Sequence, residues 1–503
     1  MTTDSSPPAE PSPIGGWPAE PAGYSATTYA GRVPLGQKIA FGVGMLGNQL
    51  FPAALGVFMV VLVQSLKMDP VLAGVLAFLP RIFDGITDPV MGYITDNTKS
   101  RWGRRRPYVL LGAIIAGVSF AFMWQLDPSN SEMYNFWYFL LLALLFYLGM
   151  TIFATPYVAM GYEMSADFHE RTRIMAVAQW IGQWAWVIAP WFWVVIYNPD
   201  LFPDGVSGAR SLAVYVGIGC ILLAITPAIF CKTHRVDPAT QETLSIAGIG
   251  ASIGSLVRSI GTTLSCGPFV RICLATFLIF GSFNTIAAFS FYIIVHYMYG
   301  GSTDEAGTWP TWFGTASALT TTFIAIPVVT LMSQRMGKRA AFVISQSISL
   351  LGYVAFWWCY QPGHPWLLFL PMPFFSFGIG GLFTIMMSMT ADVCDLDELD
   401  TGSRREGLFG AVYWWMVKLG FAIAGLATGV IMSGAGFDVD ATTQPPEALT
   451  WLRLAYTGVP FVGTALAILI MLGYNLDEER SHDIRRQLDE RKASEATDQA
   501  MAG

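Results

Sequence analysis

Long, nearly uninterrupted apolar blocks, separated by short polar turns, run from about residue 37 to residue 474. A block of about 20 such residues wound as a helix matches a bilayer hydrocarbon core of roughly 30 Å. Inside lipid every backbone amide must be satisfied within its own segment, which a helix achieves and an open strand does not. The blocks are continuous rather than alternating, which argues against an outer-membrane barrel. Charged residues are only 13% of the chain, against about 25% in soluble domains, so a water-soluble fold is excluded. The fold class expected is an all-α membrane protein.

Twelve transmembrane helices can be placed, six before and six after a less apolar stretch. The first six cover 37–64, 70–94, 108–126, 134–164, 172–197 and 209–231; the second six cover 269–299, 307–332, 339–360, 363–391, 405–434 and 451–474. The domain plan is therefore a six-helix N-terminal half over 37–231, a connector over 232–268 and a six-helix C-terminal half over 269–474. Residues 1–36 are rich in Pro, Gly and Ser and read as a disordered tail; 475–503 mix both charges and read as a solvated, fraying helix. The six cysteines are scattered without a CxxC pair, so no disulfide or metal framework is indicated.

Basic residues decide the orientation. Lys99, Arg101, Arg104, Arg105, Arg106, Arg171, Arg173, Lys232, Arg235, Arg258, Arg335, Lys338, Arg339, Arg404 and Arg405 fall in loops on one side, and only Lys67, Arg210 and Arg453 on the other. The positive-inside rule then puts both termini and the connector in the cytoplasm, in a multi-pass protein of the plasma membrane. The two halves echo each other. "RWGRR" at 101–105 answers "RMGKR" at 335–339, and "MSAD" at 164–167 answers "MTAD" at 389–392. A parallel repeat of six helices is the plan of the major facilitator fold, whose substrate site lies between the halves near the midplane.

Within the second block stand Asp84 and Asp88, in "RIFDGITDPVMGYITD". Four residues apart, they share one helical face. Each costs about 2.5–3.5 kcal/mol at mid-membrane, and such residues turn inward and mark ion or proton pathways. A pairing with Arg81 or another cation that merely holds helices together is the bland alternative, but it leaves the second carboxylate without a purpose. Two carboxylates and a hydroxyl can cage a monovalent cation; equally, their repulsion can raise one pKa enough to carry a proton. Lys418, in "WWMVKLG", needs a counter-charge inside an apolar block, and these aspartates are the obvious candidates.

"DGITDPVMGYITDNTKSRWGRRRP", "TPYVAMGYEMSADFHERTRI" and "MTADVCDLDELDTGSRREGLFGAVYWWMVKLG" together resemble the signatures of the glycoside–pentoside–hexuronide:cation symporters of the major facilitator superfamily. The resemblance touches both halves. It implies that Asp84 and Asp88 are the cation-site pair, that Thr151 supplies a hydroxyl and that Lys418 sits beside them. It also implies Na+ or H+ as coupling ion, with no other cofactor.

The charged sugar anchors of the family's melibiose permease are missing. Asn48 and Gln49 stand where it has a lysine and an aspartate, Ala154 replaces an aspartate and Gln179 an arginine. A neutral, amide-rich pocket is expected instead. Gln179 with Gln183, and Trp180 with Trp184, are spaced one turn apart on the fifth helix; Tyr157, Asn284 and Trp414 are further candidates. Amides both donate and accept, and flat indoles suit sugar rings. The reading is a cation-coupled importer of a small polar organic solute, a glycoside or sugar derivative, acting as a monomer in the bilayer with no nucleic-acid partner. A carrier of an amphipathic, lipid-like solute is the alternative. No HExxH, GxSxG or Walker motif suggests an enzyme.

The charged turns read as a gate at the cytoplasmic mouth. Asp96, Arg104, Arg105 and Arg106 on one half, and Arg335, Lys338, Arg339 and Arg404 on the other, are expected to pair with Glu163, Asp167, Glu170, Asp392, Asp395 and Glu406. These pairs would close the mouth when the carrier faces outward and part when it opens inward.

Overall fold

The computed structural model describes residues 32–100, 102–165, 168–232, 246–402, 405–476, 479–488 and 490–491. Eleven helices among the described residues are long and apolar enough to cross a membrane. Numbered by their place among the twelve expected, they are helix one (Leu35–Gln64), two (Pro70–Asp96), three (Arg106–Met123), four (Glu132–Glu163) and six (Gly205–Phe230). The series continues with helix seven (Gly267–Met298), eight (Thr303–Met336), nine (Lys338–Cys359), ten (Pro365–Thr401), eleven (Glu406–Gly434) and twelve (Pro446–Leu472). Helix five, Phe168–Ile188, is long enough; its Glu170, Arg171, Arg173, Gln179 and Gln183 make its composition too polar to qualify.

Two boundaries differ most from the sequence reading, each for a local reason, while most others shift by up to about five residues. The expected fifth segment is broken after Ile188, and the chain resumes as a short helix, Trp191–Ile196, capped by Pro190. Proline has no N–H to give and its ring crowds the carbonyl four residues back, which favours a break here, although helices one, two, four, six and twelve run through prolines. Helix ten continues ten residues past the expected end at 391, to Thr401, where Gly402 at φ 72° closes it in the left-handed conformation that favours glycine.

The echo of "RWGRR" and "RMGKR" has a structural cause. Gly103 (φ 87°) and Gly337 (φ 79°) occupy the same place in the turns after helices two and eight. Both need positive φ, which costs glycine nothing.

Helices one to six pack on one another around Phe51, Phe58, Phe120, Trp124 and Phe146, while helices seven and nine to twelve enclose Phe269, Phe280, Phe342, Tyr413 and Met471. Glycines allow the closest approaches: a side chain at Gly112 would strike the Phe153 backbone, and one at Gly352 the Phe375 backbone. π-helical segments interrupt the later helices at Ile293–Met298, Thr321–Ala325 and Leu382–Met386. The connector carries a helix, Ile246–Thr263, that touches helices two and eleven. The C-terminal segment does not simply fray. Ile484 and Leu488, one turn apart, are buried in the core of the last helices, and Arg485 reaches Asp395 at 3.4 Å. The 1–31 part of the N-terminal tail lies outside the described residues; Val33 is buried, its N–H donating to Glu170 Oε1 at 2.8 Å.

Candidate functional site

Helices two and eleven run side by side with glycines at the crossing. A Cβ at Gly429 would collide with the Pro70 carbonyl, and one at Gly74 would lie 3.1 Å from the Gly425 carbonyl. This approach lets a long side chain of helix eleven reach carboxylates on helix two. Lys418 Nζ lies 2.6 Å from Asp84 Oδ2 and 2.5 Å from Asp88 Oδ2. The ammonium thus bridges both acids across the contact between the first six helices and the last six. Thr151 Oγ1, from helix four, donates to Asp84 Oδ1 at 2.8 Å. All four residues expected at the cation site are in one place.

The site is lined further than the sequence suggested. Thr87 Oγ1 lies 3.0 Å from Thr151 Oγ1, and Thr155 Oγ1 donates to Asp88 Oδ1 at 3.4 Å. Thr87 follows Asp84 by three residues and Thr155 follows Thr151 by four, so helical spacing alone could have found both. Arg81 is turned elsewhere. Its Nε donates to Tyr147 Oη at 3.0 Å and its Nη1 to the Phe421 carbonyl at 3.2 Å, with the guanidinium 4.8 Å from the Phe421 ring centre. Arg81 therefore does not pair with the aspartates; the cation between them is Lys418.

Burial grades across the site. The side chain of Asp84 is 13% exposed, that of Lys418 29% and that of Asp88 38%. Asp84 is thus the more buried carboxylate and Asp88 the more exposed. Two carboxylates and one ammonium leave one negative charge unbalanced, which a small hard cation or a proton, assisted by two or three hydroxyls, can neutralise.

The expected pocket residues divide. Gln49 Oε1 accepts from Trp186 Nε1 at 2.7 Å, and Gln49 Nε2 donates to Gln179 Oε1 at 3.5 Å. Trp186, not singled out from the sequence, thus belongs with the amides; it stands seven residues past Gln179, on the same helical face. Gln183 is half-buried on that face. Trp180 and Trp184 are exposed and meet edge to face at 6.3 Å. Asn48 donates to Met45 Sδ at 3.7 Å, and Asn284 to its own helix at Phe280 O, 2.8 Å. Trp414 is exposed beside Tyr413. Tyr157 is not on a pocket wall. It is fully buried, stacked on Phe41 at 4.6 Å, and its hydroxyl donates to the Phe41 carbonyl at 2.6 Å.

At the end bearing the basic turns, Arg104 Nη2 lies 2.5 Å from Glu163 Oε1 and Arg105 Nη2 2.5 Å from Asp96 Oδ1. Lys338 pairs with Asp392 at 2.6 Å, and Arg405 with Asp397. Lys38 pairs with Glu170 at 2.6 Å. Each of these pairs joins residues of the same set of six helices; pairing across the mouth is expected only for the outward-facing state. Arg106 donates to the Cys231 carbonyl, Arg335 is exposed at the end of helix eight and Glu406 opens helix eleven. Asp167 and Arg404 lie outside the described residues.

The two sets of six meet at the opposite end. His296 Nε2 is 2.9 Å from Gln64 Oε1, Thr311 Oγ1 donates to the Pro190 carbonyl at 2.9 Å, and the Trp193 and Phe291 rings lie 3.9 Å apart.

A helical membrane bundle with an ion pair shared between its two sets of six is the build of a transporter, not of an enzyme. Residues 40–478 match the model of the MFS/sugar transport protein family, and the chain belongs to that family. It is 26% identical to a symporter of Synechocystis sp., over 90% of this chain and 96% of the relative. It is 25% identical to a glucuronide carrier protein homolog of Escherichia coli (84% and 88% covered). To the sodium-dependent lysophosphatidylcholine symporter 1-A of Danio rerio it is 22% identical (90% and 87% covered). The fold is similar to that of the nucleoside transporter NupG, with a TM-score of 0.60, 14% identity, and 87% of this chain and all of that one covered.

Proposed function

We propose that this protein is a cation-coupled symporter, using Na+ or H+, that imports a small polar organic solute, a glycoside or sugar derivative, by alternating access. The observation that carries the reading is Lys418, set by the last six helices between Asp84 and Asp88 of the first six. A cation that enters this pair releases the lysine and so loosens one tie between the two sets. Binding energy at the ion site then biases the rocking equilibrium, which is how a gradient becomes work on a second solute.

The two sets act as the moving halves, with both termini in the cytoplasm and the carrier working as a monomer in the plasma membrane. The conformation described is sealed at the outer end, with the charged turns of the cytoplasmic mouth parted into separate pairs. The chain of Gln179, Gln49 and Trp186 supports a neutral polar solute: it offers amide donors and acceptors but no fixed charge to clamp a uronate or phosphate.

The test is transport in proteoliposomes under separately imposed sodium and proton gradients, with a panel of glycosides and amphiphiles. Wild-type protein accumulates a glycoside against its gradient with one of the two ions. The double variant Asp84→Asn/Asp88→Asn, folded and inserted, loses uphill accumulation. Full accumulation by that variant refutes the cation site; accumulation of a lysolipid rather than any glycoside replaces the solute class.

A further inference from the structure

Trp415 stands three residues before Lys418 on helix eleven, on the face turned to helix two. Its indole edge occupies the space above Gly85: a Cβ built on that glycine would lie 3.1 Å from both Cδ1 and Nε1 of the ring. Gly85 is buried and directly follows Asp84. The ring therefore rests on the backbone of helix two between the two aspartates, and Lys418 projects from the next turn of the same helix. Indole and lysine are held by one rigid element, so the seat of the first fixes the reach of the second.

We infer that Trp415, seated on Gly85, is a positioning residue that holds the Lys418 ammonium between Asp84 and Asp88 and thereby sets how strongly the coupling cation must compete for them. The inference rests on the proposed coupling role of this pair. A lysine aimed by a flat, stiff neighbour satisfies both acids at once; one released from it samples more rotamers and spends less time between them. The glycine is part of the device, because a methyl group at residue 85 would require the indole to give by a few tenths of an ångström.

Two readouts test this. The first is the rate at which an amine-reactive reagent labels Lys418 in the detergent-solubilised protein, followed by mass spectrometry without any transport. Trp415→Ala and Gly85→Ala raise that rate, and Trp415→Phe, which keeps a ring on the glycine, returns it towards wild type. The second is the cation concentration for half-maximal uptake in vesicles. It falls about threefold to tenfold in Trp415→Ala, as expected when a charged hydrogen bond is loosened rather than removed, while the solute KM at saturating cation stays unchanged. Unchanged labelling of Lys418 in both alanine variants overturns the inference. So does a solute KM that moves together with the cation midpoint, which marks a general packing defect. If wild-type uptake depends on no cation, the coupling reading fails by itself, and the labelling arm still decides the role of Trp415.

Discussion

Thr151 shows how much a single hydroxyl carries at the candidate cation site. It donates to Asp84 at 2.8 Å and stands 3.0 Å from Thr87, so its lone pairs face a group of oxygens while its proton steadies the drier carboxylate. Thr151→Val keeps the shape and removes the oxygen. Hydrogen bonds to charged groups contribute about 1.5–3 kcal/mol. The half-saturating cation concentration therefore rises roughly tenfold, a shift worth about 1.4 kcal/mol, while protein yield and solute KM at saturating cation are unchanged. Cation titration of uptake in vesicles measures it. Asp84, Asp88 and Lys418 were legible in the sequence because charge inside an apolar block is expensive and therefore conspicuous, whereas Thr151 was implied only by the family resemblance. Thr87, Thr155 and Trp186 were not conspicuous, since threonines and tryptophans are ordinary in membrane helices and only their neighbours give them a role. Tyr157 shows the reverse error. A tyrosine beside Pro156 looks available to a ligand, yet its hydroxyl serves the Phe41 carbonyl.

At the scale of elements, the contact of helix two with helix eleven depends on missing side chains. Gly429 faces the Pro70 carbonyl and Gly74 faces the backbone at Gly425 and Leu426, so the helices meet backbone to backbone above the ion pair. Overpacking of such a contact costs about 1–3 kcal/mol. Gly429→Leu accordingly lowers the melting temperature of the detergent-solubilised protein by several degrees and weakens coupling, whereas Gly56→Leu, where a Cβ meets nothing within 4 Å, leaves both in place. Differential scanning fluorimetry with uptake assays separates the two. Helix periodicity and hydropathy located these elements to within a few residues. They missed the break at Pro190 and the extra turns of helix ten, where one proline and one left-handed glycine decide the ends.

For the whole molecule, the decisive pattern is which end holds the two sets together. Gln64 with His296, Thr311 with the Pro190 carbonyl, and Trp193 against Phe291 join them at the end away from the basic turns. The ion pairs Arg104–Glu163, Arg105–Asp96 and Lys338–Asp392 keep to their own sets at the other end. A carrier that alternates has to break the first group of contacts in every cycle. Cysteines placed at Gln64 and His296 and joined by a reducible bifunctional reagent arrest uptake, and reduction restores it; transport that continues with the link intact contradicts rocking about this seal.

The sequence by itself determined the solvent, the number of crossings expected, the repeat and the acidic pair, because each follows from local chemistry. Burying unpaired charge and unpaired amides in lipid is so costly that composition and spacing leave few alternatives. Only the tertiary structure decided the geometry of the answering charge: Lys418, the counter-charge the sequence already suggested, lies 334 and 330 residues away along the chain and is held 2.6 and 2.5 Å from the two acids. It also decided that Arg104 and Arg105 pair within their own set of helices and that a tryptophan sits on Gly85. Those choices depend on how distant helices are rotated and how closely they approach, which no local preference encodes.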